Sequence, residues 1–377
     1  MIYFDNAATT GRKPLSVINA VQKALKYNCA NPGRGGYETA RNTDELIFSC
    51  RKKVCGLFHC ESEENVIFTK NCTEAINIVL KGILNAGDHV ITTSIEHNAV
   101  ARPLKALTKN GVYVDYAEVV FDDVDSIVKT ISLLIKSNTK LVVCTHASNV
   151  TGHMLPVGKI GKLCHDRGIL FAVDAAQTAG IVPIDVQADN IDYLCVAAHK
   201  GLYAPMGTGI LIANEEIPKT IFEGGTGSNS SSVMQPSDMP DKFESGTLNV
   251  PGIAGLLAGI NYVLSKGIKN IYEHEIQLAA YFYEKLKGIK NVSVYSMHPT
   301  IGKTVPTIAF NFRNRSSGEI GDILAKQNIA VRTGLHCAPL LHSRIGTIDK
   351  GAVRVSFSMF NNKKEIDEVI NFIKQIK

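Results

Sequence analysis

The sequence predicts an α/β protein with a mainly parallel central sheet in a large domain, followed by a smaller α+β domain. Between residues 66 and 213, short apolar runs alternate with helical patterns, which is typical of parallel sheets. Near residue 260 the order changes to long helices and irregularly spaced strands. We therefore expect an N-terminal segment, 1–13, beside the small domain and the functional site, a large domain, 14–259, and a small domain, 260–377.

The strands of the large domain are short apolar runs separated by helical patterns. The runs lie at 66–69, 90–94, 112–117, 141–144, 169–173, 193–198 and 209–213. A helix is expected at 15–27, and its apolar face would hold Val17, Ala20, Val21, Ala24 and Leu25. Further helices are expected from a pattern through Ile76, Val79, Leu80 and Ile83, after Asn98 to about residue 107, at about 124–135 and at about 157–167.

The small domain has its own order of elements. Pro251 suits the first turn of a helix that ends near Gly267. Beyond it the patterns predict a helix at 271–286, strands at 292–295 and 307–312, a helix at 319–327, strands at 329–332 and 352–357, and a last helix from 364.

Composition and charge are those of an ordinary soluble globular protein. Hydrophobic residues make up 45% and charged residues 20% of the 377 positions, and the net charge of +5 comes from basic residues dispersed among acidic ones. Neither a nucleic-acid nor a membrane partner is expected. The first residues lack the features of a signal peptide and no run is long enough to span a membrane, so we expect a cytoplasmic protein.

The cysteines predict free thiols and no metal site. Nine cysteines in a long chain without a secretion signal argue against a disulfide framework. Cys50, Cys55 and Cys60 recur every five residues, which does not match zinc-ligand spacings. We interpret them as packing thiols.

Four polar residues follow successive strands of the large domain. They are His97, Asn149, Asp174 and Lys200, and the carboxyl ends of parallel strands share one edge of a sheet. Each alone is more often a helix cap or a loop residue. Together they predict a crevice that holds a desolvated lysine, and such an amine loses its proton readily.

This set matches the needs of pyridoxal 5′-phosphate (PLP), which requires a lysine for a Schiff base and an acid for its ring nitrogen. Asp174 would pair with that nitrogen and His97 would stack on the ring. Asn149 and Gln177 would reach the phenolic oxygen. The helix start at Thr73 would hold the phosphate, although a simple capped helix has the same pattern.

The small domain contributes two further candidates. Cys337 follows Arg332 and His336, and a nearby cation favours the thiolate, although an inert loop cysteine is the simpler interpretation. Arg354 lies on the apolar face of an alternating strand, where an arginine is out of place unless it binds an anion such as a substrate carboxylate.

With these residues in view, the chain resembles the cysteine desulfurases of the class V aminotransferase family. The motifs that carry the resemblance span nearly the whole chain: YFDNAATT, CTEAIN, EHNA, SNVTG, VDAAQ, AHKG, FESGT, RTGLHCAP and VRVSF. RTGLHCAP is similar to the group whose nucleophilic cysteine lies on a short loop, and selenocysteine lyases share it. The resemblance implies a PLP-dependent, aspartate-aminotransferase-like fold, with the cofactor in the large domain and the cysteine in the small one.

The resemblance also implies roles for particular residues. Lys200 would bind PLP covalently, Cys337 would form a persulfide, and His97 would stack on the ring and carry protons. Thr247 would reach the phosphate of the partner subunit, which requires a homodimer. The cofactor site would comprise Cys72, Thr73, His97, Asn149, Asp174, Gln177, His199, Lys200 and Thr247. The substrate site would comprise Ala8, Asn149, Arg332 and Arg354.

Two positions depart from the family pattern. Relatives often have a phosphate-binding serine shortly before the lysine, where this chain has Ala197 and Ala198. Thr226 or backbone amides would then bind the phosphate in place of the serine. Gly201 follows the lysine where many relatives have a bulky residue.

The predicted function is a cysteine desulfurase, which converts L-cysteine to L-alanine and leaves a persulfide on Cys337 for an acceptor protein. A selenocysteine lyase would use the same residues on L-selenocysteine. An aminotransferase or a C–S lyase would not need Cys337. A non-catalytic PLP-binding or sulfur-relay protein is a further alternative, which the complete set of lysine, aspartate, arginine and cysteine disfavours.

Overall fold

The computed structural model describes residues 1–28, 30–33, 35–121, 123 and 125–376. Its central feature is a seven-stranded sheet of mixed but mainly parallel strands, in the order β2-β8-β7-β6-β5-β3-β4, where only β8 runs antiparallel to its neighbours. The strands are β2 (Val66–Thr69), β3 (His89–Thr93), β4 (Tyr113–Ala117), β5 (Thr139–Thr145), β6 (Leu170–Asp174), β7 (Tyr193–Ala197) and β8 (Gly209–Ala213). This sheet confirms the predicted fold class.

Helices cover both faces of this sheet. They are α2 (Glu38–Phe58), α3 (Cys72–Ile83), α4 (Asn98–Thr108), α5 (Ser126–Leu134), α6 (Val157–Asp166) and α7 (Val250–Lys266), while α1 (Leu15–Tyr27) packs on α7. Neighbouring strand residues such as Leu141 and Val142 belong to different hydrophobic clusters. Both faces are therefore buried, which is why the strands are continuous apolar runs and not alternating ones.

A second sheet of four antiparallel strands, in the order β12-β13-β10-β9, lies in the C-terminal part of the chain. Its strands are β9 (Val292–Val294), β10 (Thr307–Phe312), β12 (Arg332–Gly334) and β13 (Ala352–Ser356). The accompanying helices are α8 (Ile268–Lys287), α9 (Ser317–Lys326), α10 (Pro339–Arg344) and α11 (Lys363–Ile373). A separate cluster that includes Phe282, Phe310 and Val355 forms the core of this unit.

The N-terminal segment joins the smaller unit. β1 (Ile2–Tyr3) pairs with β11 (Ile329–Ala330) in a two-stranded parallel sheet, and Asp5 forms a bridge with Ser356. Residue 260, the expected boundary of the small domain, lies within α7, whose Ile260 packs in the core of the larger unit. The domain bounds remain a prediction.

Several elements differ from the sequence-based expectation. The strand expected at 329–332 is two strands, β11 and β12, which belong to different sheets. α2 was not predicted, although Ile47, Cys50, Val54 and Phe58 recur at helical spacing and are buried. On α1, Val17 and Ala24 are buried but Leu25 is 63% exposed, because α1 packs on α7 through a narrow strip. Val124, expected in α5, lies outside the described residues.

The expectation that all cysteines are free was wrong for one pair. α2 ends at Phe58, His59 adopts a left-handed conformation, and the chain turns back so that Cys55 and Cys60 have Cα atoms 4.9 Å apart and form a disulfide. Cys50 is a buried free thiol, as expected. Within the described ranges, no helix combines the length and the apolar character that crossing a membrane would need.

Candidate active site

A cavity of about 200 Å³ lies at the carboxyl edge of the parallel strands. The described residues that line it are Ala7, Ala8, Asn71, Cys72, Thr73, His97, Ala99, Thr145, Asn149, Asp174, Ala176, Gln177, Ala197, His199, Lys200, Arg332, His336 and Arg354. Eleven of the thirteen site residues predicted from the sequence are among them, and the other two are Cys337 and Thr247. The strand ends thus converge as the order of strands and helices predicts.

Lys200 lies just beyond β7, at the loop that carries Gly201. Burial lowers the pKa of its amine, with smaller contributions in the same direction from Arg354 and Arg332, while Asp174 opposes them. The carbonyl of the preceding residue, His199, accepts hydrogen bonds from Thr10 Oγ1 (3.1 Å) and Lys13 Nζ (2.8 Å). The N-terminal segment therefore fixes the backbone that delivers the lysine.

Asp174 ends β6 and faces the start of α3. Its Oδ1 accepts hydrogen bonds from the Ala176 backbone N–H (2.9 Å) and from Cys72 Sγ (3.4 Å). Burial raises the pKa of the Cys72 thiol well above its ordinary value, so Cys72 is a thiol that donates. The first turn of α3 includes Cys72 and Thr73, whose backbone N–H groups have no partner within the helix, while the Glu74 N–H donates to Asn71 Oδ1.

His97 is both a cavity residue and the N-cap of α4. Its Nδ1 accepts a hydrogen bond from the Ala99 backbone N–H (3.0 Å). Burial lowers the pKa of the ring, and Lys200 acts in the same direction. The imidazole is therefore neutral, with its proton on Nε2.

Glu96, which the sequence analysis did not single out, supports this corner of the site. It is fully buried, and it accepts hydrogen bonds from Thr93 Oγ1 (2.5 Å) and from the Thr145 backbone N–H (3.0 Å to Oε1). Burial raises the pKa of its carboxyl group to about 8. Glu96 thus joins the ends of β3 and β5 beneath the cavity.

Arg354 and Arg332 lie opposite each other on β13 and β12, and both line the cavity. Arg354 is 1% exposed and donates from Nη1 to the Asn149 carbonyl (2.9 Å) and from Nη2 to Asp5 Oδ1 (2.7 Å). Its Nε has no partner among the described residues. Asp5, in the YFDNAATT motif, is thus a site residue that sequence reasoning missed, because only the fold joins it to Arg354.

The side-chain amides of Asn149 and Gln177 are tied to the walls of the cavity. Asn149 Nδ2 donates to the His336 carbonyl (2.7 Å), and Gln177 Nε2 donates to the Ala7 carbonyl (3.2 Å). Each amide retains one further N–H and its oxygen. These bonds join the strand ends to the cysteine loop and to the N-terminal segment.

Cys337 does not line the cavity but follows His336, which does. It is exposed, and its carbonyl accepts a hydrogen bond from the Asn98 backbone N–H (2.7 Å), next to His97. The thiol thus lies at the rim, open to solvent.

Thr247 and Thr226 lie elsewhere, in a separate cavity of about 430 Å³. An ion pair between Arg51 and Glu244, with 2.9 Å between Nη1 and Oε1, holds the segment that leads to Thr247. Thr226 contacts Ser228 and does not reach the first cavity. Within one chain, Thr226 therefore cannot replace the phosphate-binding serine that relatives have before the lysine. The start of α3 lies at the first cavity and can bind the phosphate there.

The first cavity fits PLP. His199 Nδ1 is buried without a partner among the described residues, and burial, Lys200 and Lys13 together lower the pKa of the ring to about 4. A carboxylate, a lysine of lowered pKa and a helix start surround the same space, as PLP requires. Within the described part of the chain, no group of three or more His, Cys, Asp or Glu residues is placed to hold a metal ion.

Comparisons with known proteins give the family of this chain. The model of the family "Aminotransferase class-V" matches residues 2–369. The chain therefore belongs to the class-V aminotransferase family, whose members share this fold.

Within the family, the chain is similar to cysteine desulfurases. A probable cysteine desulfurase from Methanothermobacter thermautotrophicus is 34% identical, over 100% of this chain and 94% of the relative. The apo cysteine desulfurase from Thermococcus onnurineus NA1 has a TM-score of 0.91 and 30% identity, covering 99% of this chain and 94% of the other. The cysteine desulfurase CsdA from Escherichia coli has a TM-score of 0.88 and 27% identity, with coverage of 99% and 94%.

Proposed function

We propose that this protein is a PLP-dependent cysteine desulfurase that forms a persulfide on Cys337. The observation that supports this most strongly is one cavity that holds Lys200, Asp174 and Arg354, with an exposed thiol at its rim. The desulfurase relatives support the same reaction. PLP would be held by Lys200, Asp174, His97, His199 and the start of α3.

When bound, PLP supplies an electron sink that acidifies the Cα–H group of an amino acid. Arg354 binds the carboxylate of L-cysteine, aided by Arg332 on the neighbouring strand. Lys200, whose lowered pKa favours the free amine, takes the Cα proton at Nζ and returns it. Asp174 keeps a proton on the ring nitrogen.

The Cys337 thiolate attacks the sulfur of the bound cysteine. The Cβ–S bond breaks, a new S–S bond forms, and a proton replaces the sulfur at Cβ. The balance is L-cysteine plus one protein thiol giving L-alanine plus one protein persulfide, so no external oxidant is required. A thiol of an acceptor protein then takes the terminal sulfur.

The homodimer belongs to the same proposal. Thr247 lies outside the cavity of its own chain, which suits a threonine that reaches the phosphate in the partner subunit.

The proposal is tested by alanine formation from L-cysteine and, in parallel, from L-selenocysteine, with the PLP-loaded protein and its Cys337→Ala variant. We expect the wild type to form alanine from cysteine, and the variant to lose this activity while its cofactor absorbance is unchanged. The matched control is Cys164→Ala, which removes a buried thiol on α6.

Other products would contradict the assignment. Turnover of selenocysteine alone would indicate a selenocysteine lyase, and pyruvate in place of alanine would indicate a C–S lyase. Alanine formation by the Cys337→Ala variant would exclude the proposed role of this thiol.

A further inference from the structure

The turn that carries Cys337 has a strained backbone. His336 and Cys337 both have positive φ, 50° and 56°. This left-handed region is unfavourable for residues other than glycine, so it persists only where surrounding contacts hold it. The residues that make those contacts therefore determine the position of the Cys337 thiol.

Two hydrogen bonds, one from a backbone N–H and one from a side-chain amide, hold the carbonyl groups of the turn. The Asn98 N–H donates to the Cys337 carbonyl, and Asn149 Nδ2 donates to the His336 carbonyl, each at 2.7 Å. A third contact holds the His336 ring, which is buried. His336 Nδ1 is 3.2 Å from His342 Nε2, and His342 Nδ1 is 2.7 Å from Thr347 Oγ1.

His342 and Thr347 are 0% and 1% exposed and face the ring from beneath the turn. His342 lies on α10 and Thr347 in the loop behind it. The two imidazoles are nearly parallel, 16° apart. Their side chains contact neither the cavity nor solvent, and the reaction proposed above does not use them.

The Arg332 carbonyl at one end sets the direction of these hydrogen bonds, because the Thr347 hydroxyl at the other end can donate or accept. His336 Nε2 is 3.5 Å from the Arg332 carbonyl, which can only accept, so Nε2 carries the proton and Nδ1 is bare. His342 must then donate from Nε2, which leaves its Nδ1 bare. Thr347 Oγ1 also lies 3.5 Å from the His342 carbonyl, but the shorter contact of 2.7 Å is to His342 Nδ1, so Thr347 donates its hydroxyl proton to that nitrogen.

We infer that His342 and Thr347 are positioning residues, which hold His336 in one neutral tautomer and through it hold the Cys337 turn for attack on the substrate. The inference rests on the proposed function, because Cys337 acts as a nucleophile only in the proposed desulfurase reaction. Burial lowers the pKa of both rings, to about 4 for His342, which agrees with a neutral pair. His336 presents an N–H group and no free lone pair, so it is not the base that deprotonates Cys337.

The test compares Thr347→Val, which keeps the shape but removes the hydroxyl, with Thr347→Ser, which restores it. In the PLP-loaded enzyme we expect Thr347→Val to lower kcat for alanine about tenfold, in line with one lost buried hydrogen bond. KM and the cofactor spectrum should not change. Amide hydrogen exchange in residues 335–338 should be faster by a similar factor, and Thr347→Ser should restore both values.

Thr92→Val is the matched control, because Thr92 is also fully buried but its hydroxyl has no partner among the described residues. Its kcat and its amide hydrogen exchange in residues 335–338 should equal those of the wild type. If Thr347→Val does not fold, His342→Phe replaces it with the same expected result.

Unchanged kcat and unchanged exchange in Thr347→Val would overturn the inference. So would faster exchange throughout the chain with kcat and KM altered together, which would indicate a general structural role. Absence of alanine formation by the wild type would overturn the proposed function instead, and the exchange measurement would still test the hydroxyl.

Discussion

At the scale of single residues, burial alone does not identify the lysine that binds the cofactor. The pKa values of both Lys200 and Lys13 are lowered by burial, that of Lys13 to about 8. They differ in surroundings. Lys13 Nζ donates to Thr10 Oγ1 and to the His199 carbonyl, whereas Lys200 lines the cavity with Asp174.

We therefore expect Lys200→Ala to abolish the covalent lysine–cofactor linkage and Lys13→Ala to retain it. The measurement is borohydride reduction of the PLP-loaded protein, followed by mass spectrometry of the labelled peptide. Label on Lys13, or label that persists in Lys200→Ala, would contradict the assignment. Loss of Lys13 should weaken cofactor retention only moderately, because Thr9 and Thr10 still bind the same carbonyl.

At the scale of elements, α7 supports the loop that follows Lys200. Gly259 of α7 packs against this loop so closely that a Cβ atom there would lie 2.0 Å from the Leu202 carbonyl oxygen. Gly201 is equally confined, because a Cβ atom there would lie 2.4 Å from the Ala179 carbonyl oxygen. Position 201 therefore requires glycine in this structure.

Gly259→Ala should consequently destabilise the protein and weaken PLP binding. Backbone must move to admit the methyl group, which costs about 1–3 kcal/mol or more. Gly56→Ala on α2 is the control, since a Cβ atom there meets nothing within 4 Å, and alanine should stabilise the helix by up to ~1 kcal/mol. Urea unfolding and cofactor absorbance measure the two effects. Equal stability of the two variants would refute the packing argument.

At the scale of the whole molecule, buried ionisable groups set how stability depends on pH. Burial raises the pKa of Glu275, on α8, from 4.5 to about 8, and its Oε2 has no partner among the described residues. Because the folded-state pKa is the higher one, the unfolded chain loses its proton first. The contribution of Glu275 to stability is therefore lost progressively as the pH rises from 4.5 towards 8.

Glu275→Gln removes this loss. We expect the variant to gain on the order of 1–3 kcal/mol in the free energy of unfolding at pH 8, and much less at pH 5. Glu368→Gln, at an exposed position of α11, should show no such difference between the two pH values. Urea unfolding at both pH values is the measurement, and an equal gain at pH 5 and pH 8 would count against a protonated Glu275.

Much of the fold follows from local pattern. The strand at 209–213 and the helix at 15–27 were predicted with the bounds that the structure shows, because burial of a strand or helix face leaves a periodic trace in the sequence. Polar residues directly after apolar strands marked His97, Asn149, Asp174 and Lys200, and the cavity holds all four. Their chemical roles, the homodimer and the cytoplasmic location stay predictions.

The sequence by itself therefore determined the class of fold, most of its elements and the residues that the strand ends deliver to one crevice. Only the tertiary structure decided the strand order, the division of 329–332 between two sheets, the pairing of Asp5 with Arg354 and the support of the Cys337 turn by His342 and Thr347. The physical reason is distance along the chain. The periodicity and the ends of strands depend on a few neighbouring residues, so a local sequence pattern reveals them. A hydrogen bond between residues 349 positions apart has no local sequence pattern and forms only when the chain folds.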